Sequence, residues 1–198
     1  MAAKTESTFI NMVVVLFVVT AVAGLALGSA YNFTKEPVAI AKQKKLNEAI
    51  KAVLPDFDSI QEKIVVEANG TNTLQFYVAL KDTVVIGTAV NTYTMKGFSG
   101  LIKLMVGFLP DGHIHNISVL EHKETPGLGT KMNKPKFKDQ FMGINPAEFN
   151  LKVKKDKGDV DAITAATISS RAFSDAVQRA YDTFENRENY KYKNQYVK

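Results

Sequence analysis

Residues 7–34 carry no charged side chain, and from Phe9 to Ala30 the run FINMVVVLFVVTAVAGLALGSA is almost wholly apolar. No other feature restricts the fold of this chain as strongly. A helix of roughly 20 apolar residues spans the hydrocarbon core of a bilayer. No other segment is apolar enough to surround such a helix inside a water-soluble core. A retained single-pass anchor over residues 9–31 is therefore expected, following a short tail at 1–8. Asn11 and Thr20 are tolerable interruptions, and Ala21, Gly24 and Gly28 offer a small face for packing on another membrane helix. Gly28-Ser29-Ala30 has the form of a signal-peptidase site. The apolar part of a signal peptide is usually about 7–15 residues, however, which favours retention of this longer one.

Lysines give a first indication of orientation. Only Lys4 and the terminal amine precede the span, whereas Lys35, Lys42, Lys44 and Lys45 follow it. The positive-inside rule puts the following domain in the cytoplasm. Pro37 is expected to break the helix, which would remove Lys42 to Lys45 from that count and place them in a folded helix.

With the anchor set aside, the 198-residue chain has room for one domain, expected at 32–188, and a polar tail at 189–198. Ala39, Leu46, Ala49, Ile50 and Val53 recur at helical spacing, which predicts an amphipathic helix over Val38–Leu54, stopped by Pro55. The rhythm then changes. Lys63–Ala68, Thr73–Leu80 and Thr83–Tyr93 are rich in β-branched and aromatic residues, with Asn69-Gly70 and Lys81-Asp82 at the turns. Leu101–Phe108 and Ile114–Glu121 flank Pro110-Asp111-Gly112, a strong hairpin signal. A short helix is expected around Lys136–Phe141 and a last strand at Leu151–Val153. A closing helix is expected from Ile168 to about Arg187, with Ala172, Phe173, Ala176, Val177, Ala180, Tyr181 and Phe184 facing the core. Strands in succession between helices define an α+β class, one antiparallel sheet flanked by helices.

Composition excludes several functions. The chain has no cysteine, which removes disulfides, iron–sulfur ligation and thiol chemistry. The net charge of +5 has one local cluster, Lys152, Lys154, Lys155 and Lys157. It alternates with Leu151 and Val153, which reads as a solvated strand face and not as a nucleic-acid surface. His113, His115 and His122 lack the partner ligands of a metal shell. Asp156, Asp159 and Asp161 lack the glutamate that closes a calcium loop. Ser169 and Ser170 have no histidine partner for nucleophilic hydrolysis.

Two stretches do carry chemistry. Asp161-Ala-Ile-Thr-Ala-Ala-Thr-Ile-Ser-Ser170 runs small and hydroxyl-bearing residues straight into the closing helix. A helix start presents unpaired N–H groups and the positive end of the dipole, a natural seat for phosphate. Ala165 and Ala166 permit close approach of a bulky group, and Thr164, Thr167, Ser169 and Ser170 supply hydroxyls. The plainer reading is a serine or threonine cap on the helix. The second stretch, Glu124-Thr-Pro-Gly-Leu-Gly129, leaves a strand with two glycines and a proline. Alone it reads as a tight turn, and it is neither a dinucleotide fingerprint nor a P-loop.

Taken together, these stretches resemble the RnfG/NqrC family of FMN-binding proteins. Thr164-Ala165-Ala166-Thr167 is similar to the family's S/T-G-A-T motif, with alanine for the usual glycine, and Glu124–Gly129 to its ETPGLG segment. Gly97-Phe-Ser-Gly100 and the Val106–Ile114 hairpin extend the likeness, which is nearer to the RnfG branch, a component of the Rnf complex. The resemblance implies FMN joined to Thr167 through a phosphoester. Asp161, Thr164, Ala165 and Ala166 would then be the recognition and cradle residues around it, Ser170 a further binding residue, and Glu124, Thr125, Gly127, Leu128 and Gly129 would contact its ring or ribityl chain. Lys131, just past the Gly-Leu-Gly turn, is either a solvated charge or a partner for reduced flavin. The resemblance further implies a redox subunit, not catalytic alone. Its complex passes electrons between ferredoxin and NAD, coupled to Na⁺ or H⁺ movement. Its partners would be the membrane and soluble subunits of that complex and a flavin transferase that uses FAD. The domain would lie on the extracytoplasmic face of the cytoplasmic membrane, opposite to the side the lysine count indicates. The competing expectations are a membrane-anchored FMN sensor or an assembly protein without an electron-relay role.

Overall fold

The computed structural model of the protein describes residues 8–68 and 72–186; residues 1–7 of the expected N-terminal tail, the expected tail at 189–198 and the Asn69-Gly70 turn fall outside these residues. The chain divides into two compact units, Met1–Lys44 and Lys45–Lys198.

The first unit is helical. Helix α1 runs from Phe9 to Val53 as one element, with Pro37 inside it. The expected break at Pro37 is not there. Proline deletes one ladder bond and crowds one carbonyl, at about 3 kcal/mol. Helical turns on both sides, rich in Ala, Lys, Gln and Leu after residue 38, propagate cooperatively through the defect. The apolar part of α1 is long and apolar enough to cross a membrane, and none of it is buried within the protein. Thr20 satisfies its hydroxyl within the helix by donating to the Leu16 carbonyl at 2.9 Å. That back-bond is what makes a threonine acceptable in an apolar span.

The second unit is an antiparallel meander of five strands in the order β1-β2-β3-β4-β5. They are β1 (Ser59–Ala68), β2 (Asn72–Lys81), β3 (Val84–Gly97), β4 (Gly100–Phe108) and β5 (Ile114–His122). The β2–β3 turn has positive φ at both Asp82 (47°) and Thr83 (71°), the twist that a two-residue hairpin needs. Gly112, at φ 88°, closes the β4–β5 hairpin, its N–H donating to the Leu109 carbonyl at 3.0 Å.

Each face of the sheet is covered. The end of α1 buries Ala49, Ile50 and Val53 with Tyr77, Ala79, Ala89 and Met105 on one face. Ala39, expected in the same stripe, is exposed, so only the last turns of α1 pack. Helix α3 (Thr167–Glu185) covers the other face and packs Ala172, Phe173, Ala176 and Val177 on Val90, Ile102, Leu104 and Val106. This period-two division of β4, with Ile102, Leu104 and Val106 on one side and Met105 on the other, marks a strand buried on both faces.

Between β5 and α3 the chain runs through short elements: a 3₁₀ turn (Gly129–Asn133), helix α2 (Pro135–Lys138), and 3₁₀ turns at Asp139–Phe141 and Lys154–Asp156. Phe137 and Phe141 clasp Phe173, at 5.2 and 5.0 Å between ring centroids, which anchors the segment under α3. The expected strand at Leu151–Val153 does not form. Leu151 and Val153 are buried and Lys152 is exposed, as alternation requires, but the pairing is a single parallel bridge from Val153 to Val160. A turn through Lys157 at φ 60° ends it before a ladder can grow. The lysines of this stretch are solvent-exposed, on a turn and not on a sheet.

Candidate functional site

The first turn of α3 has no side-chain cap. Ala166 occupies the cap position at φ −137°, ψ 45°, and Thr167 is already the first helical residue. The first bond into the helix runs from Ser170 N–H to the Ala166 carbonyl at 3.0 Å, so the N–H groups of Thr167, Ile168 and Ser169 have no acceptor among the described residues. Thus the plain threonine-cap reading fails. Ala165 sits at φ 61°, and Thr164 before it is exposed. Ser170 braces this turn from below: its buried hydroxyl accepts from Ile163 N–H at 2.9 Å and donates to the Ala166 carbonyl at 3.0 Å.

The second wall comes from the loop after β5. Thr125 accepts at its carbonyl from Leu128 N–H at 3.2 Å, and the Thr130 hydroxyl accepts from Gly127 N–H at 3.0 Å. Gly127, at φ 76°, permits this turn. Glu124, buried at 5 % exposure, accepts the Ser99 N–H at 3.0 Å and the Ser169 hydroxyl at 2.6 Å. Its carboxylate therefore ties the β3–β4 turn to the start of α3.

Between the walls lies a cavity of about 330 Å³, lined by Phe98, Glu124, Thr125, Leu128, Gly129 and residues Ala165 to Ser169. Seven of the residues singled out from sequence meet here: Glu124, Thr125, Leu128, Gly129, Ala165, Ala166 and Thr167. The other four are elsewhere. Gly127 shapes the loop without lining the cavity. Ser170 spends its hydroxyl on the turn beneath. Asp161 and Thr164 line a neighbouring cavity of about 480 Å³ with Lys131, Lys134 and Lys136. There the Asp161 carboxylate pairs with Lys154 at 2.9 Å, and its N–H donates to Gln140 Oε1 at 2.7 Å. Lys131 lines this neighbouring cavity and not the one at Thr167.

Sequence reasoning gave no role to Phe98, Ser99, Ile168 or the Ser169–Glu124 bond. The Gly97–Gly100 likeness marked the turn, but only the bond from Ser99 N–H to the Glu124 carboxylate shows that it closes beside that side chain.

A larger cavity of about 670 Å³ runs along the other flank of α3. On its rim Arg171 pairs with Asp156 at 2.7 Å and Lys96 with Asp175 at 2.5 Å. The Arg171 guanidinium holds the Asp156 carboxyl below the usual range. Burial pushes Asp175 up, but its bonds from Lys96 and Thr94 and the charges of Lys96 and Arg179 outweigh that, so it too is lowered.

The class of domain follows from sequence comparison on this frame. Residues 97–182, from the β3–β4 turn through most of α3, match the FMN-binding domain family. Over 176 residues the chain is 32 % identical to the G subunit of the ion-translocating oxidoreductase complex of Methanosarcina acetivorans, covering 87 % of this chain and 92 % of that one. It is 32 % identical to the G subunit of the proton-translocating ferredoxin:NAD(+) oxidoreductase complex of Clostridium ljungdahlii, covering 81 % and 83 %. The G subunit of the Na(+)-translocating ferredoxin:NAD(+) oxidoreductase complex of Acetobacterium woodii is 30 % identical, covering 87 % and 89 %. The chain belongs to the RnfG family, the G subunits of ion-translocating oxidoreductase complexes.

Proposed function

We propose that this protein is the covalent-FMN redox subunit of an Rnf-type membrane complex, with FMN esterified to Thr167 Oγ1. One observation carries the reading: the Thr167 hydroxyl, without a hydrogen-bond partner among the described residues, stands among three unpaired N–H groups at the mouth of a cavity. A dianionic phosphoester fits there, because the free N–H groups and the helix dipole both favour negative charge. Ala165 and Ala166 keep the approach clear. Phe98, Leu128 and Ile168 give the cavity apolar edges suited to a flat ring, each at least 40 % exposed without one. Asp161 and Thr164 line the adjoining cavity, and we read them as recognition residues around the attachment site.

Attachment from FAD balances simply. The Thr167 oxygen forms a bond to the flavin-side phosphorus, the pyrophosphate link breaks, and AMP leaves with release of the hydroxyl proton. FMN, once bound, supplies one- and two-electron redox chemistry; the protein supplies position and electrostatics. The ester also prevents loss of the cofactor on the extracytoplasmic side, the face we assign to the domain. In its complex the subunit relays electrons on the path between ferredoxin and NAD that drives Na⁺ or H⁺ movement.

Co-expression with the transferase tests this. Denatured wild-type protein should show a fluorescent flavin band on a gel, Thr167→Ala should show none, and several polytopic subunits should co-purify. A wild-type band without flavin sinks the assignment.

A further inference from the structure

We infer that Glu124 is a positioning residue: its buried carboxylate locks three segments into the wall beside Thr167 and holds one negative charge within that wall. The inference rests on reading this cavity as the FMN site.

The segments are Gly97–Gly100, Glu124–Gly129 and the start of α3, far apart in sequence, and they meet at this one side chain. Oε1 accepts from the Ser99 N–H and Oε2 from the Ser169 hydroxyl. Both contacts are donated to the carboxyl, the pattern an ionised acid satisfies. Among the described residues no cation pairs with it. Its own N–H donates to His122 Nδ1 at 3.3 Å. A buried charge without a counter-ion persists only where hydrogen bonds and dipoles hold it. Here the N-terminus of α3 supplies the dipole.

Two glycines make room for the carboxylate. A Cβ on Gly97 would lie 2.7 Å from Oε1, and one on Gly129 would lie 2.6 Å from Oε2 and 2.7 Å from Ser169 Oγ. Neither glycine has the positive φ that marks Gly100 and Gly127. At 97 the backbone carbonyl of Gly100 and the Glu124 carboxylate together exclude a side chain, and at 129 the Glu124 side chain and the Ser169 hydroxyl do. The Gly-Phe-Ser-Gly turn and the Glu-Thr-Pro-Gly-Leu-Gly loop are two halves of one cradle around Glu124.

Two consequences follow. Loss of the carboxylate leaves the Ser99 N–H and the Ser169 hydroxyl unsatisfied, so the turn and the loop loosen together. Loss of the charge also removes a repulsion against added negative charge in the cavity, which makes a bound flavin easier to reduce.

Glu124→Gln, nearly isosteric and neutral, separates this from packing. Glu124→Ala, which removes both acceptors, should raise amide exchange in residues 97–100 and 125–129 together by about tenfold, with β4 unchanged. Glu124→Gln, whose amide can still accept from Ser99 and donate to the Ser169 hydroxyl, should move the midpoint potential of the flavin-loaded protein positive. Gly129→Ala pushes a methyl into the carboxylate but keeps the charge; it should loosen the same segments without the positive shift. Uncoupled exchange in the two segments of Glu124→Ala, or a wild-type potential in Glu124→Gln, overturns the inference. If Glu124→Ala does not fold, Glu124→Asp replaces it. The shorter acid should loosen both segments, and wild-type protection in both would overturn the clamp. A wild-type chain without covalent flavin defeats the functional reading instead, while the exchange result still decides the clamp.

Discussion

Ala165 holds a left-handed backbone at φ 61°, at the position where the resembling motif carries glycine. For a residue with a Cβ this conformation costs roughly 1–2 kcal/mol, which glycine avoids. The strain lies two residues from Thr167, in the turn that aims the free N–H groups of α3. Ala165→Gly is therefore expected to stabilise the fold by about 1 kcal/mol, or about 2–4 °C in Tm for a domain of this size. Calorimetry showing an unchanged or lower Tm would contradict the assigned strain. Thr83, β-branched at φ 71° in the β2–β3 turn, presents the same problem away from any site. Replacing Asp82-Thr83 with Asn-Gly should raise Tm similarly and leave flavin attachment untouched.

At the level of elements, β3 and α3 are stitched through buried threonines. Thr92 donates to the Ala176 carbonyl at 3.0 Å and Thr94 to Asp175 Oδ2 at 2.7 Å, while Lys96 closes on the same aspartate. Because Asp175 is lowered from its ordinary 3.8 in the folded protein, its contribution is present above pH 3.8 and is lost as pH falls through the folded value. Wild-type Tm should thus drop below about pH 4, and Asp175→Asn should be less stable at neutral pH with a shallower acid slope. An unchanged slope would show that the Lys96–Asp175–Thr94 link does not couple to folding. On the opposite face, a Cβ on Gly107 would collide with the backbone carbonyl of Val53. Backbone cannot step aside as a flexible side chain can, so Gly107→Ala should cost about 2–3 kcal/mol, read as a lower urea midpoint.

For the whole molecule the question is where the folded domain begins. The domain expected from sequence spans 32–188, and the compact unit that holds the sheet and α3 starts at Lys45. The turns of α1 that bury Ala49, Ile50 and Val53 belong to this unit. A chain beginning at Lys45 should be soluble, monomeric in gel filtration and cooperative in melting. One beginning at Pro55 uncovers Tyr77, Ala79, Ala89 and Met105 and should aggregate. Orientation is also open to direct measurement, since the native chain has no cysteine. Lys155→Cys should react with a membrane-impermeant maleimide added outside spheroplasts. Labelling only after lysis would reverse the assigned topology and vindicate the lysine count.

The sequence by itself determined the apolar span, the strands, both helices of the core and the two segments that carry chemistry. These are local properties: hydrophobic period, turn residues and the helix-start pattern are set by neighbours in the chain. It misjudged Pro37 because a helix survives one missing bond when long helical stretches flank it. It misjudged Leu151–Val153 because alternation records burial, not the partner strand a ladder needs. At the site it marked Thr167, Ala165, Ser170 and the Glu124–Gly129 loop. Only the tertiary structure turned the Glu124 carboxylate toward Ser99 and Ser169, and spent the Ser170 hydroxyl on the turn below. Which groups remain free for a ligand depends on which donors and acceptors distant segments have already satisfied, and that pairing exists only once the sheet and α3 have closed.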